Sequence, residues 1–124
     1  SFTDLMHRAE AAMERIDIKE VQPLREDGGK YRNYPLFPFD SQRRFEMYYI
    51  EIDVDGQLDA EPHPPGTQEF ITAFSGRLAV RVGEETLSVE NGTSVRFQAD
   101  SSHRYKNVGD EMCRLSMVIY YPQS

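Results

Sequence analysis

From Arg43 onward the chain is a succession of short β-branched and aromatic runs, each closed by a Gly, Asn or Asp turn, and this rhythm limits the possible folds most. RRFEMYYIEIDV (Arg43 to Val54) predicts a long strand, with Phe45, Met47 and Tyr49 on one face and Tyr48, Ile50 and Ile52 on the other. EFITAFSG, RLAVRVG, ETLSVENG, TSVRFQAD, HRYKNVG and CRLSMVIYYP follow as further strands. In RLAVRV, Leu78, Val80 and Val82 alternate with Ala79 and Arg81, so one face is buried and the other wetted. Gly83-Glu84-Glu85 closes a tight hairpin onto Thr86 to Val89, and Asn91-Gly92 is a second strong turn signal. About seven short, evenly spaced strands predict an all-β antiparallel sandwich or barrel.

The 124 residues suit one domain with one core. Ahead of the strands, Phe2, Leu5, Met6, Ala9, Ala12, Met13 and Ile16 recur at helical spacing, which predicts an amphipathic helix with Thr3 as its cap. Residues 1–20 thus read as a helix and linker, and 21–124 as the β-barrel. The stretch from Val21 to Asp40, with Gly-Gly and three prolines, reads as a loop or short strands closing over the core. A net charge of −7 would repel a phosphate backbone, which argues against nucleic-acid binding by this segment itself. The single cysteine, Cys113, has no internal disulfide partner and lies in an apolar run, as a buried thiol does. There is no apolar run of transmembrane length and no signal-peptide pattern, so a cytoplasmic protein with no membrane partner is expected.

Glu61 to Phe70, EPHPPGTQEF, carries the chemistry of interest. His63 and Glu69 stand six apart across two prolines and a glycine, and His103 lies forty residues beyond His63. Two imidazoles and one carboxylate are enough for a facial set with open coordination positions, and a barrel turns consecutive strands around one interior where such residues can meet. The alternative is a stiff proline turn, with Glu69 and His103 as polar groups satisfied inside a small pocket. Either way the candidate ligand-binding residues are His63, Gln68, Glu69 and His103, and the candidate metal ligands are His63, Glu69 and His103. No nucleophile elbow, phosphate-binding loop or dinucleotide fingerprint is present.

The run from Gly56 to Asn107 resembles the cupin superfamily, whose first motif is G, five residues, H-x-H, three or four residues, E, six residues, G. Gly56 opens it and Glu69-FITAFS-Gly76 closes it. Gly92, TSVRF, Gln98-Ala99-Asp100, Ser101-Ser102, His103, three residues and Asn107 match the second motif in spacing, with Gln98 and Asp100 in its proline and glycine slots. The resemblance implies a double-stranded β-helix, or jelly-roll barrel, that can hold a divalent metal such as Zn, Fe, Mn or Ni. The sequence departs from the pattern in the H-x-H slots. With a three-residue spacer His63 and Pro65 fill them, and with a four-residue spacer Pro62 and Pro64 do, so at least one of the usual four ligands is missing. HPPGTQEF, FQADSSHRYKNVGDE and the closing MVIYYP are similar to the cupin sensor domains of XRE-type helix-turn-helix bacterial regulators. That likeness implies a small-molecule effector in the barrel, a homodimer, and DNA bound only through a missing N-terminal domain of which residues 1–20 are the tail. The other reading is a stand-alone metal-dependent cupin enzyme, a dioxygenase or isomerase.

Overall fold

A computed structural model describes residues 12–122. Among these residues ten strands form two antiparallel sheets. They are β1 (Leu24–Glu26), β2 (Tyr31–Phe37), β3 (Phe45–Ile52), β4 (Gln57–Ala60), β5 (Gln68–Ser75), β6 (Arg77–Val82), β7 (Glu85–Glu90), β8 (Ser94–Gln98), β9 (His103–Asn107) and β10 (Cys113–Tyr120). One sheet runs β1-β2-β3-β10-β5-β8 and the other β4-β9-β6-β7, the antiparallel barrel expected from the strand spacing in the jelly-roll form that the resemblance implies.

The helix expected at the start lies outside the described residues as far as residue 11. Ala12 to Asp17 carry no helix, and the first helical turn among the described residues is a 3-10 turn at Ile18–Glu20, capped by the Asp17 side chain accepting from the Lys19 N–H at 3.0 Å. The stretch read as loop or short strands contains β1 and β2, which extend the larger sheet beyond β3.

Strand alternation builds the core. Ile50, Ile52, Ile71, Leu78 and Leu115 are all essentially inaccessible, each side chain contributing about 1.5–3 kcal/mol by leaving water. On β5 the parity is clear: Glu69, Ile71 and Ala73 point inward, and Phe70 and Phe74 are exposed. The Gly83-Glu84 turn joins β6 to β7 as a hairpin, with Val82 opposite Glu85. The Asn91-Gly92 turn does something different. Thr93 donates to the Glu90 carbonyl at 2.9 Å, Gly92 takes φ +85°, and the chain passes from the smaller sheet to the larger one, where β8 pairs with β5. Such crossings between sheets close the barrel.

Candidate functional site

The proline-rich stretch after β4 is held in place by the segment following β8. Thr67 donates to the Pro64 carbonyl at 3.2 Å, and Gly66 between them has φ +86°. Proline at the second and glycine at the third position are what a type II turn requires. The His63 N–H donates to the Ala99 carbonyl at 2.9 Å, the Ala99 N–H returns a bond to the Thr67 carbonyl at 2.8 Å, and the Gly66 N–H reaches Asp100 Oδ2 at 3.2 Å. The glycine slot of the second motif is therefore filled by an aspartate that fastens the first. The turn is stiff, and its stiffness aims His63 at the barrel interior.

There His63, Glu69 and His103 converge, one ligand atom from each lying within 4.8 Å of the others. Glu69 Oε2 is 3.3 Å from His63 Nε2 and 3.0 Å from His103 Nε2. Glu69 is 1% exposed and the His103 side chain is wholly buried, whereas that of His63 keeps 28% of its surface and faces the open side. His103 Nδ1 lies 2.9 Å from the Ser101 carbonyl, so Nδ1 carries a proton and Nε2 is the atom turned toward Glu69. Tyr105, two residues along β9 and so on the same face, donates its hydroxyl to Glu69 Oε1.

The protonation states follow from these contacts. Burial works to raise the Glu69 carboxyl, but His103, His63 and Tyr105 outweigh it and hold the group below its usual range. Burial works to lower His103, yet the Glu69 carboxylate and the Ser101 carbonyl hold it above the ordinary imidazole value. The Tyr105 hydroxyl is pushed well up by burial and by the Glu69 charge, so it stays protonated and donating.

Two atoms at this cluster test whether a metal fits. Glu69 Oε2 and His103 Nε2 are buried, 3.0 Å apart, and neither has a well-directed hydrogen bond. The two atoms form an ion pair while His103 is protonated, and once that proton leaves both turn lone pairs to one point, where two imidazoles with a carboxylate suit Zn, Fe, Mn or Ni. The residues fit such an ion with three protein ligands.

Gln68 is not brought to this cluster. It precedes Glu69 on β5, so strand alternation turns it to the outer face, where its Oε1 accepts from Arg96 at 3.1 Å. Asn107, the last residue of the second motif, is buried as a fastener: its amide donates to the carbonyls of Ile52 and Glu111, and its oxygen accepts from Gly109.

Beside the triad a cavity of about 600 Å³ is lined by Phe39, Glu46, Pro64, Pro65, Thr67, Tyr121 and Pro122. Tyr121 links the two, its ring standing edge-on to His63 at 6.2 Å between centroids. Glu46 accepts hydroxyl bonds from Tyr48 and Tyr121. Across the sheet Glu46, Ile119, Glu69 and Phe97 form one inward row. The strand expected over Arg43 to Val54 puts Tyr48, Ile50 and Ile52 on one face, burial shows that face to be the inner one, and two residues further back along it lies Glu46.

A jelly-roll barrel with a His-Glu-His cluster and an adjoining cavity defines a class of small β-barrels that bind metals or small molecules inside. The chain belongs to the cupin family, whose cupin-domain profile matches residues 48–120. It is similar to the HTH-type transcriptional regulator SutR of Escherichia coli strain K12, 34% identical over 89 residues that cover 72% of this chain and 50% of that protein. It is also similar to polyketide synthase CurC of Streptomyces cyaneus, 31% identical over 100 residues, covering 81% of this chain and 64% of that one. Among solved structures, the cupin domain of an XRE family transcriptional regulator from Enterobacter cloacae superposes with a TM-score of 0.72 at 26% identity, covering 76% of this chain and 99% of that chain. The chain thus spans about half the length of SutR and under two thirds of CurC.

Proposed function

We propose that this chain is the effector-sensing cupin domain of a bacterial transcriptional regulator of the cytoplasm. A small molecule entering the barrel beside His63 changes how an attached helix-turn-helix domain, carried on a longer protein, meets DNA. The observation that carries this reading is the similarity to half of a helix-turn-helix regulator, joined to a cavity whose Tyr121 stands against His63 of the triad. Coupling of this kind requires the effector to favour one arrangement of the assembly over another. A two-fold dimer supplies two such arrangements, and the exposed Phe70 and Phe74 on the outer face of β5 are side chains that an interface would cover.

A second reading is favoured by the triad itself: a stand-alone metal-dependent enzyme in which His63, Glu69 and His103 hold the ion. A bound divalent ion would supply Lewis-acid chemistry there. On the protein side, Glu69 contributes the negative charge, the Ser101 carbonyl fixes the tautomer of His103, and Tyr105 orients the carboxylate by bonding its other oxygen. The mass of the intact protein in its native cell separates the two readings. A regulator exceeds the 14.3 kDa of this chain by a DNA-binding domain of roughly fifty or more residues. A native mass of 14.3 kDa, with one metal per chain and turnover lost in His103→Ala, would replace the sensor by the enzyme.

A further inference from the structure

The cavity beside the triad is chemically lopsided. Of its seven lining residues, Phe39, Pro64, Pro65, Tyr121 and Pro122 present apolar or aromatic surface, and Glu46 is the sole charged one. The nearby cation, Arg44, is turned onto the wall: its guanidinium lies over the Phe39 ring at 5.5 Å and one terminal nitrogen donates to the Pro122 carbonyl, while its buried Nε has no partner. Glu46 accepts from Tyr48 and Tyr121. A carboxylate offers about four lone-pair sites, so two hydroxyl donors leave room for further donors.

Two more observations point to a ligand. Thr67 lines the cavity and is fully buried, and its hydroxyl has no hydrogen-bond partner. A buried hydroxyl left unpaired is destabilising, so a group that pairs with it is favoured. Phe39 lies edge-on to Tyr121 at 5.5 Å, yet it is 43% exposed, an aromatic wall with one side uncovered. Aromatic faces beside a carboxylate attract an ammonium group by charge and by the ring quadrupole together.

We propose that this cavity is the effector site and that it takes an organic cation: a small primary amine with an apolar or aromatic body. Its ammonium group meets Glu46 with one N–H and the Thr67 hydroxyl with another, and its body covers Phe39 and Tyr121. About 600 Å³ accommodates a compact metabolite, within the ordinary range for small-molecule pockets. The site differs from the metal triad in its residues but adjoins it through Tyr121 and His63. It rests on the sensor reading for its role and on the cavity alone for its chemistry.

The test is calorimetric titration of this chain with three probes of similar shape and different charge: 2-phenylethylamine, 2-phenylethanol and 3-phenylpropanoate. The amine is expected to bind at least tenfold more tightly than the alcohol, with the carboxylate weakest. Glu46→Gln is expected to remove that preference and Thr67→Val to weaken the amine severalfold, with both variants checked for an unchanged thermal midpoint. Should either variant unfold, the ranking of the three probes on the unaltered chain decides. Equal binding of amine and alcohol, tighter binding of the carboxylate, or no amine binding at millimolar concentration overturns the proposal. Adding the amine to the longer protein on its promoter DNA separates the two claims. Amine binding without an effect on DNA affinity keeps the site and removes the sensor, and a DNA response to a non-amine ligand alone does the reverse.

Discussion

Tyr105→Phe removes one oxygen from the core and nothing else, and the structure sets its cost. The Tyr105 hydroxyl donates to Glu69 Oε1 where Tyr105 and Glu69 are 2% and 1% exposed, so water cannot take its place. A buried hydrogen bond to a charged acceptor is worth about 1.5–3 kcal/mol. At about 2.1 cal/mol/K per residue, a chain of 124 residues unfolds with an entropy near 0.26 kcal/mol/K, so the expected drop in Tm is about 6–12 °C. The comparison that isolates the cause is a double-mutant cycle with Glu69→Gln. With a neutral amide as acceptor the same hydroxyl is worth about 0.5–1.5 kcal/mol, so Tyr105→Phe should cost about 1 kcal/mol less in that background. Urea unfolding followed by circular dichroism, on metal-free protein, reads all four species. A cost below about 0.5 kcal/mol in the unaltered background, or equal costs in both, would refute the account of Glu69 as a charged acceptor held by Tyr105.

Cobalt titration followed by its visible absorption should show one ion per chain, with affinity falling at least 100-fold in His103→Ala. In Gln68→Ala the affinity should stay within about twofold, because Gln68 bonds Arg96 outside the barrel. Gly76 takes φ +78°, and a methyl group there would come within 2.8 Å of Cys113 Sγ, so Gly76→Ala should destabilise by about 2 kcal/mol or more in the same urea assay. Burial pushes the Cys113 thiol up to about 11, which leaves roughly one molecule in a thousand as thiolate at pH 8. Iodoacetamide should therefore modify Cys113 slowly in the native protein, faster as pH rises, and completely in guanidinium.

Much of the barrel was legible because strands announce themselves twice, by period-two burial and by the turns that end them. RLAVRV and CRLSMVIYYP became β6 and β10 with the inward residues that alternation assigns. Glu69 and His103 were legible by residue type and motif spacing, and their strands turn each inward, Glu69 with Ile71 and Ala73 and His103 with Tyr105 and Asn107. His63 was harder, since it lies in a loop where no period operates, and it is the backbone bond to Ala99 that places it near Glu69. Gln68 went astray because neighbours in sequence face opposite sides of a strand. Glu46 and Thr67 were missed although parity reaches Glu46, because the cavity they line is assembled from β3, the proline turn and the residues after β10. Such long-range assembly leaves no local mark on any one segment.

The most direct test of the sensing account is the affinity of the longer, DNA-binding protein for its own promoter, measured by fluorescence anisotropy with and without the small-molecule pool of its native cell. Effector coupling typically changes affinity by about 5- to 150-fold, and the account predicts a change in that range that vanishes when the small molecules are dialysed away. An affinity that stays the same with that pool, and with Zn, Fe, Mn and Ni each supplied in turn, would contradict it.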